Sequence, residues 1–190
     1  MAVPRRSGHY GDMTRQGPSK DIDESDLEVT HPKDYAAGVP AVLVSLPWRS
    51  APTAAQRTDV WVRIAGILGD SRRWVLAGHS RGAALTARFA GEHAADTGPT
   101  LAGIVLIGTT HPKASSLAGL GIPVTKIYGT QDCVAGAASV LANAGLLPPH
   151  ARLVKLDGAN HSQFGWYGRQ LGDCPATMSR PEQQARTLEA

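Results

Sequence analysis

Apolar residues in this chain fall in short unbroken blocks separated by amphipathic or polar stretches. The blocks at 41–46, 74–77, 101–107, 124–128 and 151–156 read as buried strands, and Leu27-Glu28-Val29-Thr30 as a shorter edge strand. Between them the period changes to that of a helix. From Thr53 or Ala54 onward, Val60, Trp61, Ile64, Ile67 and Leu68 share one face, and Gly69 follows as a stop. Further helices are predicted over 83–90, over 134–144, and from the capping box Ser179-Arg180-Pro181-Glu182 to about Leu188. Strands that are apolar throughout, alternating with helices, imply an α/β domain. Its sheet is mostly parallel, of about five to six strands, with helices on both faces. Residues 1–26 are polar and aperiodic and read as a disordered or loosely docked tail, which leaves 27–190 as the domain.

Composition narrows the picture only a little. A chain of 190 residues, 42% hydrophobic, has the volume for one real core. No apolar run reaches the length of a membrane span, and the basic N-terminus lacks the apolar segment of an export signal. The expected location is therefore cytoplasmic. The net charge of +3 comes from scattered arginines with no basic-aromatic block, so neither nucleic acid nor membrane is an expected partner. Cys133 and Cys174 show no metal-ligand spacing, and no metal site is expected. Both cysteines fall in loops and are expected as free thiols, a disulfide between them being the alternative in an exported chain.

Chemistry enters at Gly78-His79-Ser80-Arg81-Gly82, between a predicted strand and a predicted helix. A tight strand-to-helix turn lifts the apical serine clear of the sheet, and a Cβ at Gly78 or Gly82 is expected to collide with the adjoining strand and helix. In a parallel sheet, functional groups collect at the carboxyl ends of the strands. Two further such loops carry matching groups, Gly129-Thr130-Gln131-Asp132-Cys133 and Asp157-Gly158-Ala159-Asn160-His161-Ser162. The order is nucleophile, acid, base. A serine hydroxyl needs an imidazole to take its proton, and the imidazole needs a carboxylate to fix its tautomer. Ser80, Asp132 and His161 are the candidates, with Asp157 as fallback acid and a helix cap as the alternative role for Asp132. The N–H of Arg81 is the expected oxyanion donor. His79 and Trp48 are further candidates for the oxyanion and substrate region, and Trp166 and Tyr167 either wall a pocket or pack.

On these residues the chain resembles the α/β-hydrolase superfamily, and is similar to its small lidless esterase-like and dienelactone-hydrolase-like members. The resemblance covers about residues 41–188. It rests on the Ser80 turn, on Ile127-Tyr128-Gly129-Thr130-Gln131-Asp132, and on Gly158-Ala159-Asn160-His161-Ser162-Gln163-Phe164-Gly165. It implies the same three catalytic residues, no cofactor, and a small-molecule ester or related acyl substrate cleaved through an acyl-enzyme. It also marks the N-terminal part as abbreviated. Too few residues separate Tyr35 from Val42 for a crossover helix, and no glycine-rich oxyanion loop precedes that strand. The second oxyanion donor then comes from near Thr30–His31 or Pro47–Trp48, or has been lost. The alternative function is a non-catalytic binding protein on the same fold.

Overall fold

The computed structural model describes residues 27–30, 41–44, 73–93 and 101–190, the first two as backbone only. The expected tail at 1–26, the helix from Thr53 or Ala54, and Trp48 lie outside the described residues. The chain divides into two compact units, 1–70 and 71–190. In the first, β1 (Leu27–Thr30) pairs antiparallel with β2 (Ala41–Val44), Leu27 standing opposite Val44.

The second unit carries β3 (Trp74–His79), α1 (Arg81–His93), β4 (Leu101–Ile107), β5 (Val124–Gly129), α2 (Ala137–Ala142), β6 (Arg152–Leu156) and α3 (Arg180–Leu188). Its four strands form one sheet in the order β3-β4-β5-β6, every pair parallel. Each strand thus lies beside its successor, and all the loops that leave carboxyl ends gather along one edge.

The two faces of the sheet are packed differently. Ala83, Ala87 and Ala90 of α1 are fully buried against Ile104, Leu106 and Val124, with Leu117 and Leu147 completing that layer. The small alanines let the helix axis sit close to the strands. On the other face Ile127, Leu156, Ala159 and Met178 form a second cluster, with Val105, Ile107 and Val154 packed on it. Helix α3 opens as the capping box predicts, Ser179 accepting from the Glu182 N–H at 3.4 Å. The helix expected over 134–144 is shorter than the apolar pattern suggested. It breaks into α2 and a single 3₁₀ turn at Ala144–Leu146.

One buried residue defies the pattern. Lys126 lies mid-strand on the α1 face with no exposed surface, and its ammonium donates to the His111 carbonyl at 2.8 Å. Together with Asn143 Nδ2, which donates to the Thr110 carbonyl at 3.0 Å, it pins the loop after β4. Burial pulls the Lys126 pKa down to about 8. His111 is held below its ordinary value by burial and by Lys113 and Lys126. An unfolded chain holds the Lys126 proton up to about pH 10, so the folding penalty is whole below pH 8 and fades as pH rises from about 8 to 10. Urea midpoints of Lys126→Met against the parent chain are therefore expected to differ most at pH 7 and converge near pH 10. An unchanging difference would remove the ammonium as its source.

Candidate active site

The turn after β3 is built by a close approach. A Cβ on Gly78 would stand 2.5 Å from the Ala83 nitrogen and 2.6 Å from the Gly82 oxygen, so only hydrogen fits where α1 folds back on the strand. Gly82 differs from expectation. A Cβ there, in the first turn of α1, meets nothing within 4 Å among the described residues. Between them Ser80 adopts a left-handed backbone, φ 55°, a conformation that costs a non-glycine residue energy and is held here by its surroundings. Its N–H donates to the Ile107 carbonyl at 2.9 Å, and its carbonyl accepts from Ala84 at 3.0 Å, which ties the turn to β4 and to α1.

Three carboxyl-end loops then converge. The Ser80 hydroxyl lies 2.8 Å from His161 Nε2, and His161 Nδ1 lies 2.8 Å from Asp132 Oδ2. Asp132 and His161 are wholly buried, with side-chain exposures of 0% and 1%. The two oxygens of Asp132 have separate tasks. Oδ1 accepts from the N–H groups of Val134 and Ala135, at 2.9 and 2.6 Å, which leaves Oδ2 for the imidazole. The helix cap weighed for Asp132 as an alternative is not formed, since α2 has Gly136 at its N-cap and no side-chain cap; Asp132 instead closes the turn to Ala135 and faces His161 as well. With Nδ1–H donating to the carboxylate, the Nε2 lone pair points at the serine hydroxyl. Asp157, the fallback acid, is instead 71% exposed and pairs with Lys155 at 3.1 Å.

The remaining candidates fall into place unevenly. Arg81, exposed, begins α1 directly after Ser80. His79 packs its ring against His161, centroids 4.6 Å apart, and also near Phe164 and Tyr167 at 5.8 and 5.9 Å. Register explains this position: His79 stands opposite Ile107, which stands opposite Ile127, on the sheet face that packs the second cluster. Burial, then the neighbouring His161, pushes the His79 pKa down to about 4, so the ring is neutral at working pH. It is a wall beside the base. Tyr167 is half exposed, and burial raises its phenol to about 12. Trp166 is 79% exposed and outside the core, with the Arg180 guanidinium over its ring at 5.3 Å from the centroid.

Several residues around the base were not singled out from the sequence. Gln183 of α3, fully buried, accepts from the Asn160 N–H at 3.1 Å and donates to the Asn160 carbonyl at 2.8 Å. Asn160 Nδ2 reaches the Cys174 carbonyl at 2.7 Å. Asp173, also buried, accepts from the backbones of His161 and Ser162. The free-thiol expectation is overturned: Cys133 and Cys174 are joined in a disulfide, Cα atoms 5.3 Å apart. Their separation of 41 residues hid a proximity that only the meeting of two loops creates. Among the described residues no cluster of His, Cys, Asp and Glu could hold a metal ion. No helix among them is long and apolar enough to cross a membrane.

Comparison with known proteins agrees with this architecture. The esterase RhEst1 from Rhodococcus sp. ECU1013 is similar over 82% of this chain and 82% of its own, with TM-score 0.55 and 18% identity. MGS-MChE2, an alpha/beta hydrolase enzyme from the metagenome of lagoon sediments at Mar Chica, Morocco, covers 82% and 80%, with TM-score 0.55 and 16% identity. An alpha-beta serine hydrolase homologue from Coxiella burnetii covers 66% of this chain, with TM-score 0.52 and 19% identity; the chain spans 62% of its length, less than two thirds. No curated protein matches. The sequence profile of the Alpha/beta hydrolase family matches residues 35–185, and with the parallel sheet and its elbow already described, the chain belongs to that family.

Proposed function

We propose that the protein is a serine hydrolase that cleaves a small carboxylic ester, or a related acyl substrate, through an acyl-enzyme. The observation that carries this reading is the unbroken chain from Ser80 Oγ to His161 Nε2 and from Nδ1 to Asp132, 2.8 Å at each link. In the proposed reaction the Ser80 oxygen attacks the substrate carbonyl while its proton passes to His161 Nε2. Asp132 holds the imidazole in the receiving tautomer and stabilises the cation formed. The Arg81 N–H, at the positive end of α1, donates to the developing oxyanion. His161 then returns the proton to the leaving alcohol. A water, deprotonated by the same Nε2, cleaves the ester to Ser80 and restores the enzyme. Tyr167, beside the neutral His79 ring, supplies apolar surface for the substrate near the base. No step calls for a cofactor.

The disulfide bears on location. Such bonds persist in oxidising compartments, so the Cys133–Cys174 pair favours a site of action outside the reducing cytoplasm over the cytoplasmic one expected from the N-terminus.

The test is labelling by a fluorophosphonate probe combined with hydrolysis of p-nitrophenyl acetate and butyrate. The parent chain is expected to label and turn over, and Ser80→Ala to do neither. A folded parent chain that neither labels nor turns over would favour a binding protein on this fold.

A further inference from the structure

Asp173 lies outside the nucleophile–base–acid chain, yet it is a buried carboxylate on which the segments around that chain converge. Its Oδ2 accepts from the Ser162 N–H at 2.8 Å and the Ser162 hydroxyl at 2.6 Å. Its Oδ1 accepts from the N–H groups of Cys174 at 3.0 Å, His161 at 3.3 Å and Cys133 at 3.4 Å. The Ser162 hydroxyl in turn accepts from the Gln170 N–H at 3.0 Å, which draws the Trp166–Leu171 segment into the same network. Besides its own neighbour Cys174, the donors therefore come from the residue after Asp132, from the proposed base itself, and from the residue following the base.

Every one of these groups donates, and only an ionised carboxylate offers acceptor capacity on both atoms. Burial alone would push the carboxyl of Asp173 upward, but the Ser162 hydroxyl and the backbone N–H groups outweigh it and hold the acid below its ordinary value. The carboxylate is thus charged at working pH. A neutral amide would have to turn an N–H toward donors that are themselves N–H or O–H groups. The position demands the charge, not merely the shape.

We propose that Asp173 is a positioning residue for the reaction above: a second buried carboxylate that fixes the base loop against the acid loop and so sets His161 between Ser80 and Asp132. It touches neither substrate nor reacting atoms. It acts through the backbone of His161 and through Cys133, the neighbour of Asp132. The disulfide ties Cys133 of the acid loop to Cys174, the neighbour of Asp173, and so keeps Asp173 beside the acid loop, while the carboxylate alone carries that link on to the base loop. A displacement of about 1 Å in such an array typically costs about 100-fold in rate. This inference rests on the hydrolase reading, and its test therefore includes an arm that needs no turnover.

The experiment compares the parent chain with Asp173→Asn and Ser162→Ala, each with the disulfide intact and the fold checked by circular dichroism. The first readout is the low-field proton resonance of the His161 Nδ1–H, assigned by its absence in His161→Gln. The second is kcat and KM for p-nitrophenyl butyrate. In Asp173→Asn the resonance is expected to be lost to exchange and kcat to fall about 10–100-fold with KM within about twofold. Ser162→Ala, which removes one donor and keeps the charge, is expected to retain the resonance and lose less than about 10-fold in kcat. If Asp173→Asn does not fold, a parent-like resonance and kcat in Asp173→Glu support the demand for charge, and loss of both in the folded Glu variant overturns it. A folded Asp173→Asn with parent resonance and kcat also overturns the proposal. If the parent chain lacks turnover altogether, the hydrolase reading fails and the resonance alone decides the role of Asp173.

Discussion

Asparagine at position 132 is expected to lower ester turnover by about four orders of magnitude while KM for p-nitrophenyl butyrate stays nearly constant. The local hydrogen bonds fix the direction of the effect. Oδ1 of Asp132 faces two backbone donors, Val134 and Ala135, and both require an acceptor. An asparagine carbonyl would take that side, which leaves its amide N–H₂ toward His161 Nδ1. The imidazole would then accept at Nδ1 and carry its proton on Nε2, the atom that faces Ser80 at 2.8 Å. A base already protonated at the receiving atom cannot take the serine proton. His161→Ala removes the base outright, and its loss is expected to reach about 10⁴–10⁶-fold in kcat. Steady-state kinetics on both variants, with thermal midpoints to show intact folding, checks this. Parent-like turnover in a folded Asp132→Asn would remove Asp132 from the relay.

Loss of the Cys133–Cys174 bond is expected to produce the largest change in stability. Joining residues 41 apart removes chain entropy from the unfolded state worth about 4 kcal/mol on the loop-closure account. The double variant Cys133→Ser with Cys174→Ser should show that loss as a lower urea midpoint. Reductant should lower the parent midpoint toward the same value and leave the variant unmoved. The backbone N–H groups of both positions would still donate to Asp173, so the variant is expected to fold under mild conditions. Equal midpoints with and without reductant would show that the bond adds nothing to the folded state.

These two predictions also mark what the sequence disclosed and what it withheld. The strand Leu101–Ile107 and the turn at Ser80 were legible because each is written locally. An apolar block signals a strand buried on both faces, and a glycine two residues before the serine signals close packing. The chain order of Ser80, Asp132 and His161 was legible for a different reason: parallel topology sends every carboxyl-end loop to one edge. Residues whose meaning depends on another loop were hidden. Cys174 and Asp173 lie in a stretch without periodicity and Gln183 in a largely polar helix, and their roles are set by contacts with Cys133, His161 and Asn160. Lys126 was concealed oppositely, as a charge inside a block that reads as apolar. The collision expected at Gly82 is absent among the described residues, since spacing alone does not show which glycine meets the backbone.

The loop between β4 and β5 stands beside the nucleophile and acid loops and supplies neither group. Its near end is anchored by Lys126 and Asn143, and Leu117 is sunk in the core, but Ala118 and Gly119 are exposed, and among the described residues a Cβ on Gly119 meets nothing within 4 Å. Extra chain could be spliced there without disturbing the anchors on either side. That makes the loop a ready acceptor for grafted segments, a point at which a reporter peptide or a second domain could be spliced into the chain on the α1 side, by Gly91 and Leu146, while the proton relay is left as it is.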